Sequence, residues 1–448
     1  MVKNVSNQTG IRREDETYVA LEHVESWTGQ IRTSQDGVDF SSFVKRFKPE
    51  DVLFGKLRPY LAKVARPSYR GVCAGEFFVL RSASGADHTP PFLEQLLRSA
   101  PFIEFVNSST FGAKMPRADW HFVGNAEVAC PPPEEQEHIV HFLNHADRLV
   151  NRLIRAKLRL IELLNEQKQA TIHRAVTRGL DPDVPMKPTG LDWLPEVPEH
   201  WEVKRLKYCV RFVSGGTPDT NEPDFWNGAT PWVSPKDMKT LDIYETEDHV
   251  TEKAIREGKT PLVPENSVLM VVRSGILRKH IPVAVACQAV TVNQDLKGII
   301  VNEQKLSPCF LAAQIAGSQD ALLAVWRKLG ATVESLEHDF VANTLFPVPP
   351  LSEQEDILST IRSESRYIDQ AIERTRREIE LIREYRTRLI SDVVTGKLDV
   401  RGVKLPEVEE AEVSLDGLDP DEAEELPGAG EVAVSGPDPA SGAFQSTR

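Results

Sequence analysis

The sequence predicts an α+β protein built twice, as two mixed globular segments that each run into a long helix. Two observations carry that prediction. Pro131-Pro132-Pro133-Glu134-Glu135-Gln136-Glu137-His138-Ile139 opens one heptad-like stretch, and Pro349-Pro350-Leu351-Ser352-Glu353-Gln354-Glu355-Asp356-Ile357 opens another 218 positions later. The same offset pairs Gly112-Ala113 with Gly330-Ala331 and Phe122-Val123 with Phe340-Val341 upstream, and Thr177 with Thr395 and Leu180-Asp181 with Leu398-Asp399 downstream. A constant offset over about seventy positions marks two joined copies of one unit, so the chain acts in duplicate and with pseudo-symmetry.

The elements follow in order. Residues 1–132 form the first mixed segment, with β-prone runs at Asp51-Val52-Leu53-Phe54 and Phe77-Phe78-Val79-Leu80 and a short helix opened by Pro91. The first long helix occupies 133–180, and its stripe of Ile139, Leu143, Val150, Leu153, Leu160 and Leu164 is a coiled-coil seam. Residues 181–194 are a proline-punctuated linker that no helix runs through. The second mixed segment spans 195–349, with strands at Ser267–Val272 and Val283–Ala286 and a short helix from Ser307. The second long helix covers 350–398; Ser352 is its expected N-cap, with Glu355 as the capping-box partner. Its seam is Ile357, Ile361, Ile368, Ile372, Ile379, Ile382 and Leu389, and the simplest partner for either seam is the other. Residues 399–448 form an acidic tail.

That tail explains the overall charge. The 448 residues carry a net −14, of which the stretch after Pro406 supplies about −11. Acids interleaved with Pro, Gly, Ser and Ala bury too little apolar surface to fold, so this segment is expected to be disordered. The rest is close to neutral and compatible with a polyanionic partner. Five scattered cysteines show neither disulfide nor zinc spacing, and no window is apolar enough to span a bilayer. The expectation is a cytoplasmic protein without a membrane partner.

No catalytic constellation is apparent. There is no phosphate-cradling Gly-x-x-x-x-Gly-Lys-Ser/Thr loop, and Gly428-Ala429-Gly430 lies in the acidic tail rather than between a strand and a helix. Cys130 and Val348 stand beside the proline runs where an amino-methyltransferase would need an amide or carboxylate. His138, His141 and His145 share a helix face, but Asp356, Ser359 and Ser363 replace them in the second copy, which makes that face solvated rather than metal-binding. The chain itself is therefore expected to bind no metal or cofactor.

Basic and aromatic chemistry remains. Lys56, Arg58, Tyr60, Lys63 and Arg66 follow a strand in the first copy; Arg273, Arg278, Lys279 and His280 follow one in the second, and Lys236 joins them as a candidate. Cations on such loops contact phosphates, and an arginine can fork onto a guanine edge.

The paired Pro-Pro-x-x-Glu-Gln starts, with Pro198-Glu199-His200-Trp201, Ser214-Gly215-Gly216-Thr217-Pro218 and Asn293-Gln294-Asp295, resemble the specificity subunit of type I restriction-modification systems. The resemblance implies two pseudo-symmetric target-recognition domains, each reading half of a split double-stranded DNA target, joined by two long helices forming an antiparallel coiled-coil spacer. It implies docking of two methyltransferase subunits and of restriction/translocase subunits, with S-adenosylmethionine, ATP and Mg2+ bound by those partners. The first copy lacks counterparts of the Pro-Glu-His-Trp and Ser-Gly-Gly-Thr-Pro phrases, so its recognition domain is expected to be short at the N-terminal side. The competing reading is a coiled-coil scaffold that binds proteins and not DNA, distinguished by salt-insensitive partner binding without a DNA shift.

Overall fold

The computed structural model describes residues 2–32, 43–83, 85–112, 114–328 and 333–405. They fall into two compact units that divide within the long helices: unit 1 holds residues up to Leu158 and those from Arg376, and unit 2 holds Arg159–Thr375. The expected disordered stretch from Pro406 lies outside the described residues.

Unit 1 begins with β1 (Val2–Asn4), β2 (Gln8–Thr9), β3 (Thr17–Val19) and β4 (Val44–Phe47). Next come β5 (Val52–Gly55), β6 (Val64–Ala65), β7 (Gly71–Cys73) and β8 (Phe77–Ser82). Helices α1 (Pro90–Arg98), α2 (Ala100–Ser108) and α3 (Trp120–Val123) lead into α4 (Pro133–Arg178). Unit 2 opens with β9 (Met186–Leu191), β10 (Leu194–Pro198), β11 (Glu202–Arg205) and β12 (Val210–Ser214). It continues through β13 (Trp226–Val233), β14 (Asp242–Ile243), β15 (Asp248–Val250), α5 (Glu252–Arg256) and β16 (Leu262–Val263). The remaining strands are β17 (Val268–Val271), β18 (Val283–Ala286), β19 (Val290–Val292) and β20 (Leu296–Val301). Helices α6 (Pro308–Gly317), α7 (Gln319–Trp326) and α8 (His338–Asn343), then β21 (Leu345–Val348), precede α9 (Leu351–Val394).

The two units share a plan. One sheet runs β1-β8-β5-β6 in unit 1 and β12-β20-β17-β18-β14 in unit 2; the other runs β2-β4-β7-β3 and β15-β13-β19-β16. In each unit the second sheet carries a parallel pair, with Tyr18 facing Val72 and Trp232 facing Thr291, and unit 2 adds β14 parallel to β18. The central strands β5 and β17 are apolar at nearly every position because both faces are covered. Val52 and Phe54 pack with the helices while Leu53 enters the core between the sheets, and Val268 and Met270 divide from Leu269 and Val271 in the same way.

The duplication also shows in the joints that start the long helices. Gln136 and Gln354 are both fully buried. Gln136 Nε2 donates to the Pro131 and Asp87 carbonyls while its Oε1 accepts from the Thr89 amide. Gln354 Nε2 donates to Pro349 and Lys305 while its Oε1 accepts from Ser307. Each glutamine thus ties a proline run to the start of a short helix. Ser352 is not the N-cap: α9 already begins at Leu351, and the Gln354 amide donates to the Pro350 carbonyl.

The long helices pack antiparallel. Ile139 and Leu143 of α4 meet Ile390, Val393 and Val394 of α9 in unit 1, and Ile172, Ala175 and Val176 meet Ile357, Leu358 and Ile361 in unit 2. The expected seam is corrected mid-helix. Leu153 and Leu160 are 47% and 44% exposed, and Ile154, Leu158 and Ile161 are buried in their place. A 3.6-residue turn drifts against a strict seven-residue repeat, so a pattern counted from Ile139 slips by one position. Val150 stays in the seam and Leu164 is half-buried; on α9 Ile368, Ile372 and Ile379 are buried, while Ile382 and Leu389 are half-buried.

Two further expectations differ from the structure. The segment 181–194 is more than a linker, since β9 lies within it and pairs antiparallel with β10. The segment from 399 is not all tail: apolar Val400 is 5% exposed and packs with Phe92 and Val394. The first sheet begins alike in both copies, with β1 pairing with β8 as β12 pairs with β20. Counterparts of β9, β10 and β11 do not occur among the described residues of unit 1.

Candidate nucleic-acid interface

In each unit the loop leaving the central strand is clamped against two others by the same hydrogen bonds. The Lys56 amide donates to Glu76 (2.9 Å) and the Arg58 amide to Pro116 (2.8 Å), while the Ala118 amide donates to Lys56 (2.8 Å). In unit 2 the Val272 amide donates to Asp295 (2.8 Å), Ser274 to Glu334 (3.0 Å) and Leu336 to Val272 (2.8 Å). Isolated bridges Leu57–Arg117 and Arg273–Ser335 complete the match. Arg58 sits at φ 51°, a left-handed conformation in which the loop turns sharply outward. Backbone bonds fix the loop, which leaves the side chains free to differ.

The candidate cations divide into two groups. Arg58, Arg273, Lys279 and Arg278 are exposed, the last at 74% of its side chain and loosely paired with Glu334 (3.4 Å). Tyr60 is 45% exposed and Lys56 half-buried. These face solvent on the clamped loops. Lys63, Arg66 and Lys236 serve other partners. Lys63 Nζ donates to the Leu21 carbonyl (2.7 Å), and Arg66 pairs with Glu50 (2.8 Å) and Glu94 (3.2 Å). Lys236 lies 2.9 Å from both Glu247 and Asp248, whose hydrogen bonds hold its pKa well above the usual lysine range. His280 is half-buried, and burial together with Lys279 pushes its pKa down, so it adds no charge to the patch at neutral pH.

Residues not anticipated from the sequence complete the surface in unit 1. Phe111 is 75% exposed and Met115 52%, both on the loop that receives the Arg58 amide. Lys114 is exposed there too, and Arg117 pairs with Glu76 at 3.2 Å. The Gly112-Ala113 pair, seen only as a repeat marker, was the available signal.

The distinctive phrases of the second copy have separate jobs. Trp201 is fully buried and donates from Nε1 to Glu353 (3.0 Å), which His200 also meets at 2.8 Å, so Pro-Glu-His-Trp anchors unit 2 to the first turn of α9. Ser-Gly-Gly-Thr-Pro lies on the Asn-Gln-Asp turn: a Cβ on Gly215 would stand 1.9 Å from the Asn293 carbonyl, so only glycine fits. The Asp295 carbonyl of that turn accepts from Val272 and Arg273, which links both phrases to the clamped loop. Among the described residues no group of three His, Cys, Asp or Glu is placed to hold a metal ion. No single described helix is long and apolar enough to cross a membrane.

Residues 198–381 match the family described as the type I restriction modification DNA specificity domain. Over that span the chain is similar to type I specificity domains. It is 30% identical to the EcoR124I/EcoR124II specificity subunit of Escherichia coli over 57% of this chain and 59% of that one. It is 22% identical to the MjaVIII specificity subunit of Methanocaldococcus jannaschii over 67% of this chain and 68% of that one. The match to the Escherichia coli relative thus spans less than two thirds of that protein's length. A solved chain from a study of type I R-M complex assembly and conformational transition shares the fold, with a TM-score of 0.65 at 18% identity, covering 87% of this chain and 95% of that one. The likeness to type I specificity subunits read from the paired motifs stands, and so does the duplicated α+β architecture with its antiparallel helices.

Proposed function

We propose that this chain is the DNA-binding specificity subunit of a type I restriction-modification complex, in which each unit reads one half of a bipartite target and the α4–α9 pair sets the gap. The observation that carries this reading is the pair of clamped loops with exposed cations. Duplicated backbone hydrogen bonds present side chains that differ between copies, as two readers of different half-sites require, while phosphate contacts position and base contacts specify. The chain transfers no methyl group itself; S-adenosylmethionine, ATP and Mg2+ belong to two methyltransferase subunits and to the restriction/translocase subunits. Exposed Leu149 and Leu153 on the unit 1 half of α4, and Leu160 and Leu163 on its unit 2 half, offer apolar surface to such partners. A cytoplasmic location follows from that role.

Methylome sequencing of a host with and without this gene tests the reading. The expected result is loss of one gapped, two-part methylation motif when the gene is removed. An unchanged methylome in a host whose partner methyltransferase is expressed would overturn it.

A further inference from the structure

Beside each clamped loop stands an apolar side chain that no core requires. In unit 1 these are Phe111 and Met115, 75% and 52% exposed; in unit 2 Val333, 218 positions after Met115, is 41% exposed. A single exposed apolar residue means nothing, but the same place in two copies, beside cations, needs a reason. The unit 1 tip is also closed at its base. The Phe111 and Arg117 amides donate to each other's carbonyls at 3.3 and 3.1 Å, and the Pro116 carbonyl holds the Arg58 amide at 2.8 Å. Arg58 and Lys114 flank the tip and form no ion pair among the described residues.

We propose that Phe111, Met115 and Pro116 of unit 1 form an apolar wedge that inserts between base steps of double-stranded DNA from the minor groove, while Arg58 and Lys114 hold the adjoining phosphates. This rests on the DNA-specificity reading and adds to it a deformation of the target. Phe, Met and Pro are among the side chains with which proteins part stacked bases and kink a duplex. A wedge needs a fixed base and flanking positive charge, and this loop has both. A protein partner would need no cation on either side of the tip. Val333, the counterpart of Met115, is too short to part a base step, so among the described residues the wedge lies in unit 1. Specificity then arises in part from how easily that step unstacks, at positions the chain does not contact through hydrogen bonds.

The test uses the complex of the full chain with its methyltransferase subunits and a duplex that this complex selects from a randomised library. The probe is 2-aminopurine, placed in turn at each step of both half-sites. A fluorescence rise is expected at one step of one half-site. Phe111→Ala/Met115→Ala removes that rise and weakens binding about tenfold, the size of one lost base contact, while Val333→Ala leaves the rise intact. A rise that survives the double variant, or its absence throughout with wild-type complex bound to the selected duplex, overturns the wedge alone. A complex that selects no sequence from the library overturns the DNA-specificity reading and the wedge with it.

Discussion

Units 1 and 2 share sheet order, joints and loop clamps, yet they close their cores differently. In unit 2, β21 pairs with β11 from Glu202–Val348 to Arg205–Leu345, and Phe346 and Val348 are 1% and 6% exposed. The corresponding residues of unit 1, Val128 and Cys130, form no strand and are exposed, Val128 at 46%. The strand after α8 is therefore not dictated by its own residues. It forms where β11 supplies hydrogen-bond partners and Trp201 supplies cover, and unit 1 has neither among its described residues. The comparison shows which parts of the repeat are self-sufficient, namely the sheets and the glutamine joints, and which depend on an added segment.

The largest expected effect follows from Trp201. Trp201→Ala empties a fully buried site and leaves Glu353 without an indole donor, at a cost of about 3–5 kcal/mol. Hydrogen exchange read on peptides from each unit should show lost protection in unit 2 and none in unit 1. Equal loss in both units would break the comparison by showing that the added segment stabilises the whole chain.

The glutamine joints should behave alike. Gln136→Ala and Gln354→Ala each leave two carbonyls and one amide without the side chain that bonds them, and buried unsatisfied groups cost about 1–3 kcal/mol. Destabilisation of about 3 kcal/mol is expected from each variant in the unit that carries it. A markedly smaller loss for Gln136→Ala, measured by urea denaturation, would show that the unit 1 joint is already open to water.

How much of this was legible depended on whether the signal was local. The helix starts, the short helices and the central strands were legible because proline runs and apolar runs act within a few positions. The glutamine joints were visible as motif and not as function, because Asp87 and Lys305 lie almost fifty residues away from them in sequence. The mid-helix seam was missed through period drift, and the sequence did not show which cations near the central strands carry ion pairs. Nothing near Arg66 or Lys236 in a predicted loop reveals Glu94 or Glu247 as partners. A buried lysine is harder still to foresee, since Lys is almost never buried unless paired.

Lys168 is that case, and it sharpens the comparison. It is 1% exposed and donates to both carboxylate oxygens of Asp369 at 2.7 and 2.9 Å in unit 2. By the 218-position offset its counterpart in unit 1 is Arg386, buried and facing Asn151 at 3.2 Å. Burial pushes the Arg386 pKa down against the opposing Asp147 carboxylate, and Asn151 adds no charge of its own. Each end of the helix pair thus carries a buried cation bonded across the seam, a device that fixes register. Asp369→Asn copies the unit 1 arrangement into unit 2. Because Asp369 is about one-third exposed, a loss of about 2 kcal/mol is expected, below the range for a fully buried pair. Asn151→Asp should in turn stabilise unit 1, and a destabilising result in thermal denaturation would show that the two ends are not equivalent.

The smallest effects concern the loops, where the units should separate by the kind of contact and not by its size. Arg58 has a left-handed backbone and no ion-pair partner among the described residues, whereas Arg278 ends a hydrogen-bonded 3-10 turn with Glu334 at 3.4 Å. An unpaired cation suits a phosphate, which needs charge more than direction, while an arginine on a hydrogen-bonded turn can aim its fork at a base edge. Arg58→Ala should therefore weaken binding alike on all sequences and lower the salt dependence by about one counterion. Arg278→Ala should cost about 1–3 kcal/mol on the selected duplex and relax the preference at one position of one half-site. Both variants should assemble normally with partner subunits, because neither side chain takes part in a core. Titration of each variant against the selected and a scrambled duplex at two salt concentrations separates the outcomes. If Arg58→Ala relaxes sequence preference while Arg278→Ala only flattens the salt slope, the roles are reversed, and the backbone clamp does not decide which cation reads and which one holds.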